Sequence, residues 1–474
     1  MKPLSLLPLL ALAGCVAAPA TPPRPAPITA PTAFAAAQGA QGAQQADLAH
    51  WWRAWGDPAL DSLVEQALAA NADLRAARAH VAAARALVSI AEGALYPTIA
   101  AQGAVWTGFS DASADGLLGA SFAPYVSTGN AQARTVSLGA SWEPDLFGAR
   151  HADVAAARAL YDSADFTAQG LRLIVAGDVV ENYQQLQGLH QRLVLLDRSI
   201  ATAQGLADYA AARMGAGQAN VGDVAKARAV AEQLAAARAP LLALIDTRQR
   251  RLAVLAGLTP EQAVAISPPE RLIIPAAPGG QVPSALLTRR PDVQARVALV
   301  RMQAARLKSL KADLLPRFGI HFIGQSGTLE LSGLPGYGGN NALIGLTASV
   351  PIFTGGRLRA RVVAGDAELT AALAEQDKAL LQALEEVEAA YAFRSALDTR
   401  NAGLARAAAL ASQRAAQQWA FFRSSRATKG DALQADLAAI EAQDTLAQAR
   451  IARASATVQL LRALGGGWDA PAPE

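Results

Sequence analysis

Proline placement constrains this chain more than any other feature. The 474 residues contain 25 prolines, yet none occurs from Asp145 to Ala239 and none from Ile352 to Ala470. Inside a helix proline removes a hydrogen bond and clashes with the preceding turn, so only these two regions can hold very long uninterrupted helices. Both carry the matching periodicity. In the first, Val154, Ala157, Tyr161, Ala164, Ala168, Leu171 and Val175 recur at steps of three and four between Asp153, Arg158, Asp162, Asp165 and Arg172. In the second, Leu369, Leu373, Leu380, Leu384, Val387 and Tyr391 keep the same seam. Such seams are coiled-coil-like. They predict helices over about 149–213 and 355–424, each on the order of 100 Å long at ~1.5 Å per residue.

The two regions are copies of one another. The differences 391 − 183, 431 − 223 and 465 − 257 all equal 208, pairing Tyr183 with Tyr391, Asp223 with Asp431 and Gly257 with Gly465. Three matches at one offset argue for duplication. Upstream, "LYP" at Pro97 pairs with "LLP" at Pro316, where 316 − 97 is 219, so the first copy carries an insertion before its long helix. The copies run over 48–264 and 265–467, followed by a tail at 468–474. Each reads helix, strand, loop, strand, very long helix, sharp turn and return helix, with the return helices at about 219–257 and 430–464.

The strand signal is a strict alternation. In "TVSLGASW", Val136, Leu138, Ala140 and Trp142 lie on one side, and Thr135, Ser137, Gly139 and Ser141 on the other. Four strands follow, at about 98–109, 135–142, 318–325 and 343–350. Their lengths approach the ~9 to 11 residues of tilted strands that cross a bilayer. If the apolar faces meet lipid, four strands cannot close a barrel, and an open edge in lipid is prohibitive. The chain must then oligomerise, two copies giving eight strands and three giving twelve, and only the wider barrels leave a channel. The competing reading is a pore-less, lipid-anchored periplasmic scaffold whose hairpins pack on its helices.

The N-terminus bears on that choice. Lys2, an apolar run from Leu4 to Ala13 and "LAGC" ending at Cys15, the only cysteine, resemble a bacterial lipoprotein signal peptide over 1–14. The resemblance implies cleavage before Cys15 and covalent lipid on that residue, and Val16 after it favours the outer membrane by analogy with known sorting. Residues 15–47, rich in proline and alanine, read as a tether with little to build a core. A lone cysteine excludes an internal disulfide.

Enzymatic chemistry finds no support. His50, His80, His151, His190 and His321 form no metal-ligand spacing. "GLPGYGG" (Gly333 to Gly339) lacks the lysine of a phosphate loop and reads as a mobile extracellular loop. No catalytic, cofactor-binding or metal-binding residue is expected, so energy must come from partners. The net charge of +3 leaves no nucleic-acid footprint.

Four segments carry a family resemblance: "WWRAWGDPALDSLVEQALAANADLRAARAHVAAARA" (Trp51 to Ala86), "SWEPDLFGARHADVAAARA" (Ser141 to Ala159), "VPSALLTRRPDVQARVALVRMQAARLKSLKADLLPRFGI" (Val282 to Ile320) and "VPIFTGGRLRARV" (Val350 to Val362). They resemble the TolC-type outer-membrane efflux proteins, in particular the lipoprotein, NodT-like branch. The resemblance implies a mainly α-helical homotrimer with a twelve-stranded transmembrane β-barrel and an α-helical periplasmic tunnel. It also implies a periplasmic adaptor and an inner-membrane pump, most often of the resistance-nodulation-division type, with the duct passively conducting small molecules such as drugs and toxic compounds. A channel for type I protein secretion is the alternative within the same architecture. Val136, Leu138, Ala140 and Trp142 would then face lipid.

By the same resemblance, the first turn, with Gly217, Val221, Gly222 and Asp223, meets the adaptor. At the second turn Asp431 falls on the acidic position that lines a periplasmic gate, with Gln434 one turn on where another acid is usual. Phe422 stands where a latch tyrosine would be, Ala427 where its arginine would be, and Ser425 in place of the turn glycine. Three Asp431 carboxylates around an axis would attract cations, with Arg426 and Lys429 as neighbouring counter-charges. Read as local structure alone, Asp431 caps the return helix.

Overall fold

The computed structural model describes residues 28, 31–37, 49–110, 129–262, 273–279, 281–331 and 336–465. The expected signal peptide, Cys15, most of the tether, part of the "GLPGYGG" segment and the C-terminal tail lie outside the described residues.

A 3-10 turn at Trp51–Trp55 leads into α1 (Pro58–Ala70) and α2 (Ala72–Gly93), then β1 (Thr98–Ser110), β2 (Gly129–Trp142), α3 (Ala149–Gly215), α4 (Val221–Ala236) and α5 (Arg238–Leu255). The second copy supplies α6 (Leu286–Arg289), α7 (Pro291–Ala312), β3 (Arg317–Leu331), β4 (Tyr337–Ser349), α8 (Arg357–Arg423) and α9 (Lys429–Ala463). Helices α3 and α8 are 67 residues each. The duplication reaches the backbone torsions: Gly148 and Gly356, Gly217 and Ser425, and Gly257 and Gly465, all pairs at the 208 spacing, have positive φ. The return helices depart from the expected pattern at one point. The second return helix is continuous over 35 residues, but the first breaks at Ala237. Pro240 lies inside the expected 219–257 helix, where its ring clashes with the carbonyl four residues back, that of Ala236, and its nitrogen has no hydrogen to give.

The chain divides into two compact units. The first combines Ala82–Asp162 with Ala298–Ala374 and contains the sheet. Its strands are antiparallel in the order β1-β2-β3-β4. Paired residues share a face, so the register extends the alternation of β2 across all four strands. Leu138 opposes Ala101 and Gly324, Ala140 opposes Ile99 and Phe322, and Phe322 in turn opposes Ile344. On the other face Ser137 opposes Gln102 and Gln325, Ser141 opposes His321, and Gly319 opposes Thr347. Strands β2, β3 and β4 are longer than their alternation predicts. At their far ends Gln132 and Arg134 follow Val136 on the apolar face and oppose Glu330 and Thr328. Pairing continues there while the hydrophobic contrast that signals a strand has ended. In the same unit Leu307 of α7 packs with Val362 and Leu369 of α8.

The second unit combines Ala26–Val81, Ser163–Val297 and Glu375–Glu474. Trp51, Trp52, Trp55, Leu60 and Val64 are buried against Val179, Tyr183 and Leu186 of α3 and Ile245 and Leu252 of α5. Asp57 N-caps α1 through Ala59 N at 3.0 Å and also accepts the Tyr183 hydroxyl at 2.6 Å. Burial, then that carboxylate, push the Tyr183 phenol well above its ordinary value. Its repeat partner Tyr391 donates to the Pro278 carbonyl at 2.8 Å and is pushed up to about 12 by burial. Arg394, buried one turn beyond Tyr391, donates to Thr457 Oγ1 at 2.7 Å and to the Pro275 carbonyl at 3.2 Å, and it pairs with Asp398. The segment joining the two copies is thereby fastened to α8. The expected tether also differs at one point: Phe34 is 2% exposed and stands in a core cluster with Leu286, Val387, Tyr391, Leu460 and Leu464.

Candidate functional site

Two surfaces of this chain call for a functional account: one face of the sheet, and the pair of helical turns.

On the sheet, Val136 is 65% exposed and Leu346 81%, with Ile99, Leu138 and Ile344 also open. Ala140 is half-buried. Trp142 presents its ring body outward while its Nε1 donates to the Leu95 carbonyl at 2.9 Å, which satisfies the indole's one polar group. Soluble monomers rarely expose an apolar surface that spans a whole sheet. Strands β1 and β4 each have one neighbour, which leaves a row of backbone donors and acceptors unpaired at both edges. The opposite face is polar: His321 Nε2 lies 3.2 Å from Thr347 Oγ1, beside a cavity of about 490 Å³ lined by Ser141, Glu143, Arg150, Arg317 and Thr347 among others.

The two turns are built alike. At the first, Gly217 has φ 73° and Gln218 N donates to the Arg213 carbonyl at 2.8 Å. At the second, Ser425 has φ 59° and Arg426 N donates to the Phe421 carbonyl at 2.8 Å. Both close their long helix through a left-handed residue. Glycine accepts that conformation freely, whereas an L side chain there costs about 1–2 kcal/mol. Each return helix then opens on a capping box. Asn220 Oδ1 accepts from Asp223 N at 3.0 Å and Asp223 Oδ2 from Asn220 N at 3.0 Å. Thr428 Oγ1 accepts from Asp431 N at 3.1 Å, and Asp431 Oδ2 from Thr428 N and Oγ1 at 2.9 and 2.7 Å. Both reciprocal bonds satisfy amides that a helix start leaves unpaired.

Gly217, Val221, Gly222 and Asp223 are therefore brought together at one turn, with Val221 74% exposed. Asp431 and Gln434 lie at the start of α9, both exposed. The capping role of Asp431 and its exposure to solvent coexist, because one carboxylate oxygen serves the Thr428 bonds. Those hydrogen bonds, with a smaller contribution from the Arg213 charge, hold its carboxyl below the ordinary range.

Sequence reasoning missed what supports the second turn. Trp419 Nε1 donates to Asp436 Oδ2 at 2.7 Å, tying α8 to α9, and its ring stands edge-on to Phe422 at 5.8 Å. Tyr209 of α3 packs so closely on Gly430 that a Cβ there would lie 2.8 Å from its ring. The only available signal was a lone tryptophan inside an alanine-rich helix. Among the described residues no cluster of His, Cys, Asp and Glu is arranged to hold a metal ion. None of the described helices is long and apolar enough to cross a membrane.

An apolar sheet face with two open edges defines a subunit of a membrane β-barrel. Comparison with known proteins supplies the rest. The family described as outer membrane efflux protein matches residues 63–258 and 282–466. The pyoverdine export outer membrane protein OpmQ of Pseudomonas putida is 30% identical, covering 89% of this chain and 89% of that one. Outer membrane protein OprJ of Pseudomonas aeruginosa is 29% identical, covering 69% of each chain. Among solved structures, the outer-membrane channel OprN superposes with a TM-score of 0.81 at 27% identity, covering 95% of this chain and 99% of that one. The chain belongs to the outer membrane efflux protein family. It is a TolC-like channel of the outer membrane, extending into the periplasm as the outer-membrane component of a multi-component efflux pump. Membership leaves no place for the pore-less scaffold.

Proposed function

We propose that three copies of this chain form the exit duct of a tripartite efflux pump and passively conduct small molecules through a twelve-stranded barrel. The observation that carries the number of copies is the sheet itself, four strands with an apolar face and with β1 and β4 each unpaired on one side. In lipid every strand edge must find a partner, so β1 of one copy pairs with β4 of the next until the ring closes. Two copies give eight strands, whose interior side chains fill, while three leave an open lumen. The polar face of Ser137, Gln325, His321 and Thr347 then lines water.

In this reading the first turn, with Val221 and Asp223, meets a periplasmic adaptor. Three Asp431 carboxylates surround the axis near Gln434 as a periplasmic gate with a preference for cations, and an inner-membrane pump of the resistance-nodulation-division type supplies the energy. Cys15 carries the lipid. The relative OpmQ is named for pyoverdine export and OprJ for its outer-membrane location, which supports an export role without naming a molecule for this chain.

The test is the protein mass of the particle extracted from outer membranes in mild detergent, with detergent and lipid subtracted. Three chains are expected. A stable folded monomer would sink the barrel, since four strands cannot close alone.

A further inference from the structure

Where β2 gives way to α3, the chain leaves an apolar surface that strand pairing does not cover. Trp142 ends β2 on the apolar face, opposite Ile320 of β3. Between it and α3 stand Leu146, 64% exposed, and Phe147, 43% exposed, and Gly148 then turns the chain with φ 75°. A Cβ on Gly148 would lie 3.9 Å from Lys308 Cε and 4.0 Å from its Nζ, so an ammonium of α7 stands beside the apolar pair. The acids along these two connections are already held. Glu143 and Asp153 pair with Arg150 at 3.6 and 3.2 Å, Asp145 with His151 at 2.6 Å and Asp313 with Arg317 at 2.5 Å. Lys308 is exposed and pairs with no described acid. Strands β2 and β3 are the inner two of the sheet, so joining the open edges of β1 and β4 to other copies leaves this place bare. The cavity beside the polar face takes in Glu143, Arg150 and Arg317 but not Leu146, Phe147 or Lys308.

We propose that Leu146, Phe147 and Lys308 bind an anionic phospholipid of the periplasmic leaflet of the outer membrane. The acyl chains lie against Leu146, Phe147 and the Trp142 ring, and the phosphate meets the Lys308 ammonium. An exposed apolar pair beside an uncompensated cation matches a molecule with an apolar body and an anionic head. The place fits as well, because it adjoins the end of a lipid-facing strand, where aromatic rings and long basic side chains meet the headgroups. One basic side chain at such a surface favours an anionic lipid by about fivefold. The duplication repeats the plan: Ile352 and Phe353, 85% and 90% exposed, precede Gly356 and Arg357. They follow β4, however, whose open edge another copy pairs with, so the site is not extended to them. The site rests on the barrel reading, through a sheet that stands in lipid.

Native mass spectrometry of the full-length particle in detergent tests it, with phosphatidylglycerol, phosphatidylcholine and glycerol 3-phosphate as probes. Phosphatidylglycerol should bind about fivefold more tightly than phosphatidylcholine, and glycerol 3-phosphate should not be retained. Lys308→Gln should remove the preference and Lys308→Arg should keep it. Lys226→Gln, at an exposed lysine of the other unit, should leave it unchanged. Phe147→Ser should weaken both lipids alike. Equal binding of the two lipids, or a preference that survives Lys308→Gln, would overturn the proposal. So would an equal loss with Lys226→Gln, which would mean diffuse attraction to net charge, and so would retention of glycerol 3-phosphate as strong as that of phosphatidylglycerol, which would make the ligand a free phosphate. The same spectra count the chains. A folded monomer would sink the barrel and this site with it, whereas three chains without a lipid preference would overturn this site alone.

Discussion

At the scale of single residues, Asp431 has an observed capping role and a proposed gating one, and substitutions can pull the two apart. Its carboxyl is held below the usual 3.8 by the Thr428 hydrogen bonds and, less strongly, by Arg213. A carboxylate depressed in the folded state adds stability above its unfolded pKa and loses it as the pH falls through the folded value. Cation preference in planar bilayers should therefore stay constant from about pH 8 to about pH 5 and fade only below about pH 4. Asp431→Asn should lower that preference at every pH, and an unchanged reversal potential would place the selectivity elsewhere. Thr428→Ala should instead cost about 1 kcal/mol of stability by removing the cap. It should leave the preference at neutral pH intact and move its loss to higher pH. Ser425 makes the opposite case. Its repeat partner Gly217 adopts the left-handed turn without a side chain, so Ser425→Gly should raise the thermal midpoint by relieving up to about 1 kcal/mol. A lowered midpoint would show that the Ser425 side chain stabilises the turn.

At the scale of elements, the sheet register makes neighbours along one strand behave differently. Leu138 shares a face with Ala101, Gly324 and Ala342, while Ser137 shares the other with Gln102, Gln325 and Asn341. A lysine on the lipid side of a barrel near the bilayer centre costs about 2–4 kcal/mol, and one on the lumen side little. Leu138→Lys should reduce the amount of assembled, heat-resistant oligomer on gels, whereas Ser137→Lys should assemble normally and alter conductance. Equal effects would mean that the two faces do not meet different solvents. The return helices make a second contrast. A proline four residues past Ala236 breaks the first of them into α4 and α5, while α9, free of proline, runs on without interruption. Two copies of one plan have thus come to differ through a single residue type whose effect is local and backbone-driven.

At the scale of the whole molecule, the edges of β1 and β4 that have no neighbour within the chain leave its sheet open, which is why the proposed barrel needs further copies. The proline-free regions, the three-and-four seam and the 208-residue offset determined the long helices and their duplication, because helix length and apolar periodicity are written locally in the chain. The alternation of Val136, Leu138, Ala140 and Trp142 likewise determined which side of a strand is apolar. Strand ends were not legible, since pairing between Gln132 and Glu330 or between Ser326 and Asn340 depends on a partner strand and leaves no alternation behind. Nor was the Trp419 bond to Asp436, or the place of Phe34 against Tyr391, because each joins elements that only tertiary packing brings together. The site residues divide in the same way. The turn at Gly217 and the acids Asp223 and Asp431 could be placed by position in the repeat, but that each acid answers its own cap was decided by a hydrogen-bond geometry that sequence spacing permits and only the folded chain selects.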